Sequence, residues 1–195
     1  SSQQRIARES TTAKRNDRAI EISRLIGRCL RSIVDLSVLG ERTIMVDCDV
    51  LQADGSTRTA ALTGAALALK RAAQSWKSQG IVAQNILLDD LVAVSAGSLQ
   101  GTVLLDLDYS EDSIIDADYN FVITKAGKIV EIQGCSEKQA LSWETFDAMK
   151  SAVLDGVKQL FKVIENSVQP THAPVHKTRE ETRNHAPLFS LKNRI

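Results

Sequence analysis

The chain has 195 residues, 43% of them apolar, which suits one medium domain with a real core. Lys and Arg number 24, as do Asp and Glu, so the formal net charge is zero; no global field draws the chain onto DNA or a membrane, and any nucleic-acid contact must be a local patch. Cys29, Cys48 and Cys135 are odd in number, widely spaced and set among apolar residues, which argues against a disulfide framework or a thiolate metal site and fits a reducing cytoplasm; no run is apolar and long enough to span a bilayer, and the first residues do not read as a leader.

Residues 1–16 are polar, carry Arg5, Arg8, Lys14 and Arg15, and show no apolar repeat, so they read as a basic arm. From Asp17, a residue type suited to an N-cap, Ile22, Leu25, Ile26, Cys29, Leu30, Ile33 and Val34 recur at helical spacing. Arg18, Arg24, Arg28 and Arg31 take the other faces. The stretch "RTIMVDCDVL" alternates, with Ile44, Val46, Cys48 and Val50 on one side and Asp47 and Asp49 on the other, which predicts a half-buried strand over 42–51. A helix is expected from Arg58 to Gln79, stopped by Gly80.

Two antiparallel hairpins follow. "LVAVSAGSL" and "GTVLLDLDY" turn near Gln100 and Gly101, and "NFVITKAGKIVEIQG" turns at 125–127. A last amphipathic helix is expected from Trp143 to Val168, with Phe146, Met149, Val153, Val157, Leu160, Phe161 and Ile164 along it and Pro170 beyond it. The domain thus runs over 17–168. Residues 169–195 are polar, hold Pro170 and Pro174 and all three histidines, and read as a disordered tail.

Two stretches carry chemistry. "QADGSTRTA" stands where a strand gives way to a helix, whose first turn has unpaired N–H groups and the positive end of the macrodipole. Gly55 lets the backbone approach closely, Ser56 and Thr57 bring hydroxyls, and Arg58 brings a forked cation, so the turn is either an anion cradle suited to phosphate or an ordinary cap with a surface arginine. It lacks the Gly-Lys-Ser/Thr ending of a P-loop. The second stretch is "LLDLDYSEDSIIDAD". In strand register Asp106 and Asp108 share a side opposite Leu105, Leu107 and Tyr109, and Glu111, Asp112, Asp116 and Asp118 follow closely. Such crowding holds a divalent cation, or raises a carboxyl pKa for proton transfer, or merely forms a solvated strand edge that resists aggregation. With the histidines confined to the tail, a His-based triad or metal site in the core is excluded; Asp, Arg, Thr and Ser are the tools of phosphoryl transfer.

The blocks "EISRLIGRCLRSIVDLSVLGERTIMVDCDVLQADGSTRTAALTGA", "LLDLDYSEDS" and "VEIQG", in that order, closely resemble bacterial ribonuclease PH, the phosphorolytic 3′-to-5′ exoribonucleases that trim tRNA precursor 3′ ends and release nucleoside diphosphates. The resemblance implies an α+β fold of mixed sheets flanked by helices, a homo-hexamer built as a trimer of dimers, Mg²⁺ assistance and inorganic phosphate as co-substrate. It puts the phosphate site on Arg18, Thr57 and Arg58, with Ser56 in the same turn. It puts the catalytic and metal-holding carboxylates on Asp106 and Asp112, and RNA or subunit contacts on Arg5 and Arg8. Asp108, Asp116 and Asp118 are left structural or metal-supporting.

The chain departs from that pattern at three places. Ser56 stands where the family usually has a second Gly, Cys135 stands where it usually has Thr, and the upstream strands of the family are expected to be missing. A serine at a position needing positive φ would be strained. The alternative to an enzyme is a non-catalytic, RNA-binding ring subunit of a phosphorolytic assembly. Such a subunit typically loses the phosphate arginines or the carboxylates, and this chain keeps both.

Overall fold

The structure, a computed structural model, describes residues 17–167; the arm with Arg5 and Arg8 and the tail with its histidines lie outside the described residues. In chain order the elements are α1 (Asp17–Ser32), α2 (Leu36–Leu39), α3 (Thr57–Ser78), β1 (Leu91–Leu99), β2 (Thr102–Leu105), α4 (Tyr109–Asp112), β3 (Ala117–Thr124), β4 (Ile129–Ser136) and α5 (Trp143–Ser167). Both expected hairpins form. β1 joins β2 through Gln100 (φ 50°) and Gly101 (φ 80°), the doubly left-handed turn whose twist suits antiparallel strands, and Gly127 (φ 78°) closes the other.

One four-stranded sheet, in the order β2-β1-β3-β4, has every neighbour antiparallel. Period-two alternation gives its two faces different cores. Leu91, Ala93 and Val122 pack toward α1 and α3 with Leu25, Ile26, Leu62, Ala66 and Leu69. Val92, Val94, Ala96, Phe121 and Ile123 pack toward α5, which supplies Met149, Val153 and Val157. The central strand β1 is therefore covered on both sides, which is why "LVAVSAGSL" reads as a nearly continuous run of apolar and small residues. The expected α+β class holds, as three layers with α1 and α3 over the sheet and α5 beneath, but where mixed sheets were expected the described residues form one antiparallel sheet, since hairpin turns link consecutive strands of opposite direction.

Three expectations change. Residues 42–51 form no strand, and Met45 and Leu51 are 92% and 94% exposed. Alternation alone does not make a strand, which needs a neighbour for its ladder, and among the described residues none pairs with this segment. Strand β2 ends at Leu105 rather than running on to Tyr109, because Asp106 turns into the left-handed region (φ 59°). The side-to-side alternation read from Leu105 to Tyr109 therefore breaks, and Leu107 is buried while Leu105 is exposed. Of the cysteines, all free, only Cys29 is buried; Cys48 and Cys135 are exposed, so the apolar setting read for all three holds for one.

Candidate active site

The N-terminus of α3, the start of α1, the loop after β2 and the upper part of β3 surround one open cleft of about 680 Å³. Its position follows from the sheet. On the face that packs against α3, β1 runs Leu91, Ala93, Ser95 and β3 runs Val122, Asn120, Asp118, so apolar side chains give way to polar ones where the helix begins. Ser95 pairs with Asn120 and Gly97 with Asp118 in the ladder, and Ser95, Asn120 and Asp118 line the cleft with Asp54, Tyr109 and Asp112.

The cleft also gathers the cradle read from the sequence. Arg18, Ser56, Thr57 and Arg58 all line it. Arg18 sits inside the first turn of α1 rather than before it. Arg58 is half-buried, and its guanidinium stands 3.4 Å from Glu21 of α1, which also accepts a bond from Gln133 at 3.1 Å. Glu21 thus aims the cation from a second helix, a role the sequence pattern did not suggest.

The turn itself is neither an ordinary cap nor the hydroxyl donor expected. Ser56 is the N-cap residue of α3, yet it adopts φ 57°, ψ 24° and its side chain makes no capping bond. Its hydroxyl donates to the Leu107 carbonyl at 2.8 Å and meets the Ser95 hydroxyl at 2.5 Å, so it is not offered to an anion as the sequence reading had it. Gly55 is required by close approach: a Cβ there would stand 2.1 Å from Leu107 O. Asp54 Oδ1 accepts the backbone N–H groups of Gly55 and Tyr109, each at 2.9 Å, which fastens the cradle to the acidic loop.

The acidic constellation sorts into different roles. Asp108 caps α4, accepting from Glu111 N at 2.8 Å in a capping box, and the Ser110 hydroxyl and that N–H hold its carboxyl below the ordinary value. Asp116 accepts from Gln100 N at 2.6 Å and pairs with Lys138 at 3.2 Å; these bonds lower its pKa and tie the β1–β2 turn to the segment that follows β4. Asp112, at the end of α4, and Asp118, on β3, face the cleft. Burial raises the Asp118 carboxyl above its ordinary value, the Asp112 charge adds to this, and Arg58 pulls the other way.

Asp106 is the exception among the expected site residues. It is exposed, with its backbone N–H bonded to Ser95 O at 2.8 Å, and it does not line the cleft. Of the acidic stretch 106–118, the structure brings Asp112 and Asp118 to the cleft, where Asp54 also stands, and not Asp106 and Asp112. Both pairs are six residues apart, so spacing could not separate them. The available signal was that Asp118 stands at the start of a strand, one residue in, whose alternate residues, Asn120 and Val122, lead into the core.

Comparison with known proteins agrees with this architecture. Residues 1–73 match the family model described as "3′ exoribonuclease family, domain 1" and residues 91–152 match "3′ exoribonuclease family, domain 2". The chain is 46% identical over 164 residues to "Ribonuclease PH" of two strains of Neisseria gonorrhoeae, NCCP11945 and ATCC 700825 / FA 1090, covering 84% of this chain and 68% of the relative in each case. Among solved structures it is similar to Rrp46 of rice (Oryza sativa), with a TM-score of 0.59 at 17% identity over 81% of this chain and 69% of that one. It is also similar to an archaeal exosome core, with a TM-score of 0.60 at 21% identity over 76% and 64% of the two chains. At these identities the solved structures speak for the fold. The chain belongs to the 3′ exoribonuclease family and, within it, to the ribonuclease PH kind, the phosphate-dependent 3′-to-5′ exoribonucleases that act as nucleotidyltransferases.

Proposed function

We propose that phosphorolysis takes place in the cleft between α3 and β3, with the 3′ ends of tRNA precursors and other RNAs as substrates. The observation that carries this reading is the meeting of Arg18, Thr57 and Arg58 with Asp112 and Asp118 around one opening. Arg18, Arg58 and the first-turn N–H groups of α3 bind inorganic phosphate, and the forked guanidinium suits its oxygens. A phosphate oxygen attacks the terminal phosphodiester phosphorus, the bond to the 3′ oxygen of the penultimate nucleotide breaks, and a nucleoside diphosphate leaves. Asp118, half-buried at the cleft and raised by burial above its ordinary carboxyl value, is the side chain we assign to deliver a proton to that leaving oxygen.

Mg²⁺ fits Asp112. Among the described residues no group of three or more His, Cys, Asp or Glu side chains gathers to form an all-protein cage, but Mg²⁺ is ordinarily held by one or two carboxylates and completed by substrate phosphate and water. Bound there it would neutralise charge on the phosphate oxygens. Asp106, expected as its second ligand, does not line the cleft.

Six copies arranged as a trimer of dimers form the working assembly in this reading, since a near-neutral chain gathers RNA best where arginines of several subunits line one path. Arg5 and Arg8 are the arm's contribution. A cytoplasmic location goes with three unpaired thiols. Among the described residues no helix is long and apolar enough to cross a membrane.

The test is product analysis. A short-tailed tRNA precursor is incubated with the chain and Mg²⁺, with and without inorganic phosphate, beside Asp112→Asn. Nucleoside diphosphates that require phosphate and vanish in the variant are expected. Nucleoside monophosphates released without phosphate would mean hydrolysis, and RNA binding with no release would favour a non-catalytic ring subunit.

A further inference from the structure

Ser56 combines two features that belong together only if its hydroxyl has a task. A left-handed conformation at a non-glycine residue costs about 1–2 kcal/mol, and serine there forgoes the capping bond for which serine is usually selected. The hydroxyl is committed elsewhere. It donates to Leu107 O at 2.8 Å, while Leu107 N–H donates to Ser95 Oγ at 3.1 Å, which leaves the Ser95 hydroxyl to donate to Ser56 Oγ at 2.5 Å. Backbone donor and acceptor thus fix the direction of each proton, and the three residues form a closed ring of hydrogen bonds.

That ring joins three parts of the molecule. Ser56 opens the helix that presents Thr57 and Arg58, Ser95 is a buried residue of the central strand, and Leu107 leads into the short helix that ends at Asp112. On either side of it, Asp54 holds Tyr109 N–H and Gly55 lies flat on the backbone of 107–108, so residues 54–56 are bound one after another to 107–109. Diverting the hydroxyl also leaves the first-turn N–H groups of α3 uncapped by this side chain.

We propose that Ser56 is a positioning residue of the phosphorolytic site: through Ser95 and the Leu107 backbone, its hydroxyl sets the distance between the phosphate cradle and the Asp112–Asp118 pair. The inference rests on the proposed reading of the cleft. It makes the serine at this position an added strut rather than a defect, since the strain of its backbone is offset by bonds that glycine could not make.

The experiment uses the full chain with Ser56→Gly, Ser95→Ala and the double variant, and measures kcat and the phosphate KM with melting temperature in parallel. Each single change should lower kcat over phosphate KM about tenfold, and the double change should cost no more than one of them, because both break the same ring. Ser56→Gly should melt close to the wild type, since relief of backbone strain opposes the lost bonds. Unchanged or improved phosphate use in Ser56→Gly, or losses that multiply in the double variant, would overturn the proposal. If the wild type itself released no nucleoside diphosphate, the reading of the cleft would fail instead. Hydrogen exchange at Leu107 N–H would still decide the tie: faster exchange in both single variants supports it, and unaltered exchange refutes it.

Discussion

At the residue scale, the proposed chemistry turns on one half-buried carboxyl and one braced guanidinium. Asp118 is raised by burial and by the Asp112 charge, so the folded chain holds its proton more tightly than the unfolded chain does. Its contribution to stability is full below the ordinary aspartate value of 3.8 and is lost as pH rises through the raised one. Asp118→Asn should therefore melt above the wild type at pH 7, with the gap closing as the pH falls toward 4, while phosphorolysis drops by about two orders of magnitude. Thermal melts across that range, with activity measured alongside, check both halves; a variant less stable than the wild type at neutral pH would contradict the assignment. Arg58→Ala should cost a similar factor in kcat over phosphate KM, and less than that in RNA affinity, because only the anion loses its forked partner. Near-normal phosphate use in that variant would remove Arg58 from the cradle. By contrast, the Cys29 thiol is pushed up to about 12 by burial and by Glu131, and is an inert part of the core.

At the element scale, the two faces of the sheet carry separate duties. Helix α5 lies on the face away from the cleft, and Met149, fully buried, anchors it against Val92, Val94 and Phe121. Met149→Ala should lose about 2–5 kcal/mol of stability by leaving a cavity, yet keep kcat and phosphate KM near the wild type at temperatures where it remains folded. Gly55→Ala should do the reverse of sparing the site: its Cβ would meet Leu107 O at 2.1 Å, so cradle and acidic loop must separate and both stability and turnover fall. Denaturant melts of the two variants beside their kinetics separate these outcomes. The elements themselves were largely readable from the chain. Helical spacing marked α1, α3 and α5, and Gln100–Gly101 and Gly127 marked the hairpins, because period and turn chemistry act over a few residues. The four-residue helices α2 and α4 were not, since one turn held by an Asp cap leaves no periodic trace.

At the scale of the whole molecule, the three layers leave β2 and β4 as sheet edges and leave the segment 42–51 without a partner strand among the described residues. If six copies make the working ring, native mass spectrometry should show six copies of the 21.3 kDa chain with dimers as the species released first, and phosphorolysis should follow the hexamer fraction on dilution. A monomer with full activity would set the ring aside while leaving the cleft chemistry in place.

The sequence by itself determined the three long helices, both hairpins, the α+β class, the family and the turn that holds Thr57 and Arg58 of the proposed phosphate cradle, because each rests on local periodicity or on an ordered set of motifs. Only the tertiary structure decided which carboxylate stands beside Asp112. Asp106 and Asp118 lie equally far from it along the chain, but a left-handed backbone at Asp106 ends the strand and turns that residue out of the cleft, while pairing with β1 carries Asp118 in. The same holds for Ser56, whose hydroxyl reads as a phosphate donor in one dimension and in three is already bonded to a strand 39 residues away. Local pattern sets what a segment becomes; register and backbone hand across the sheet set which side chains share a site.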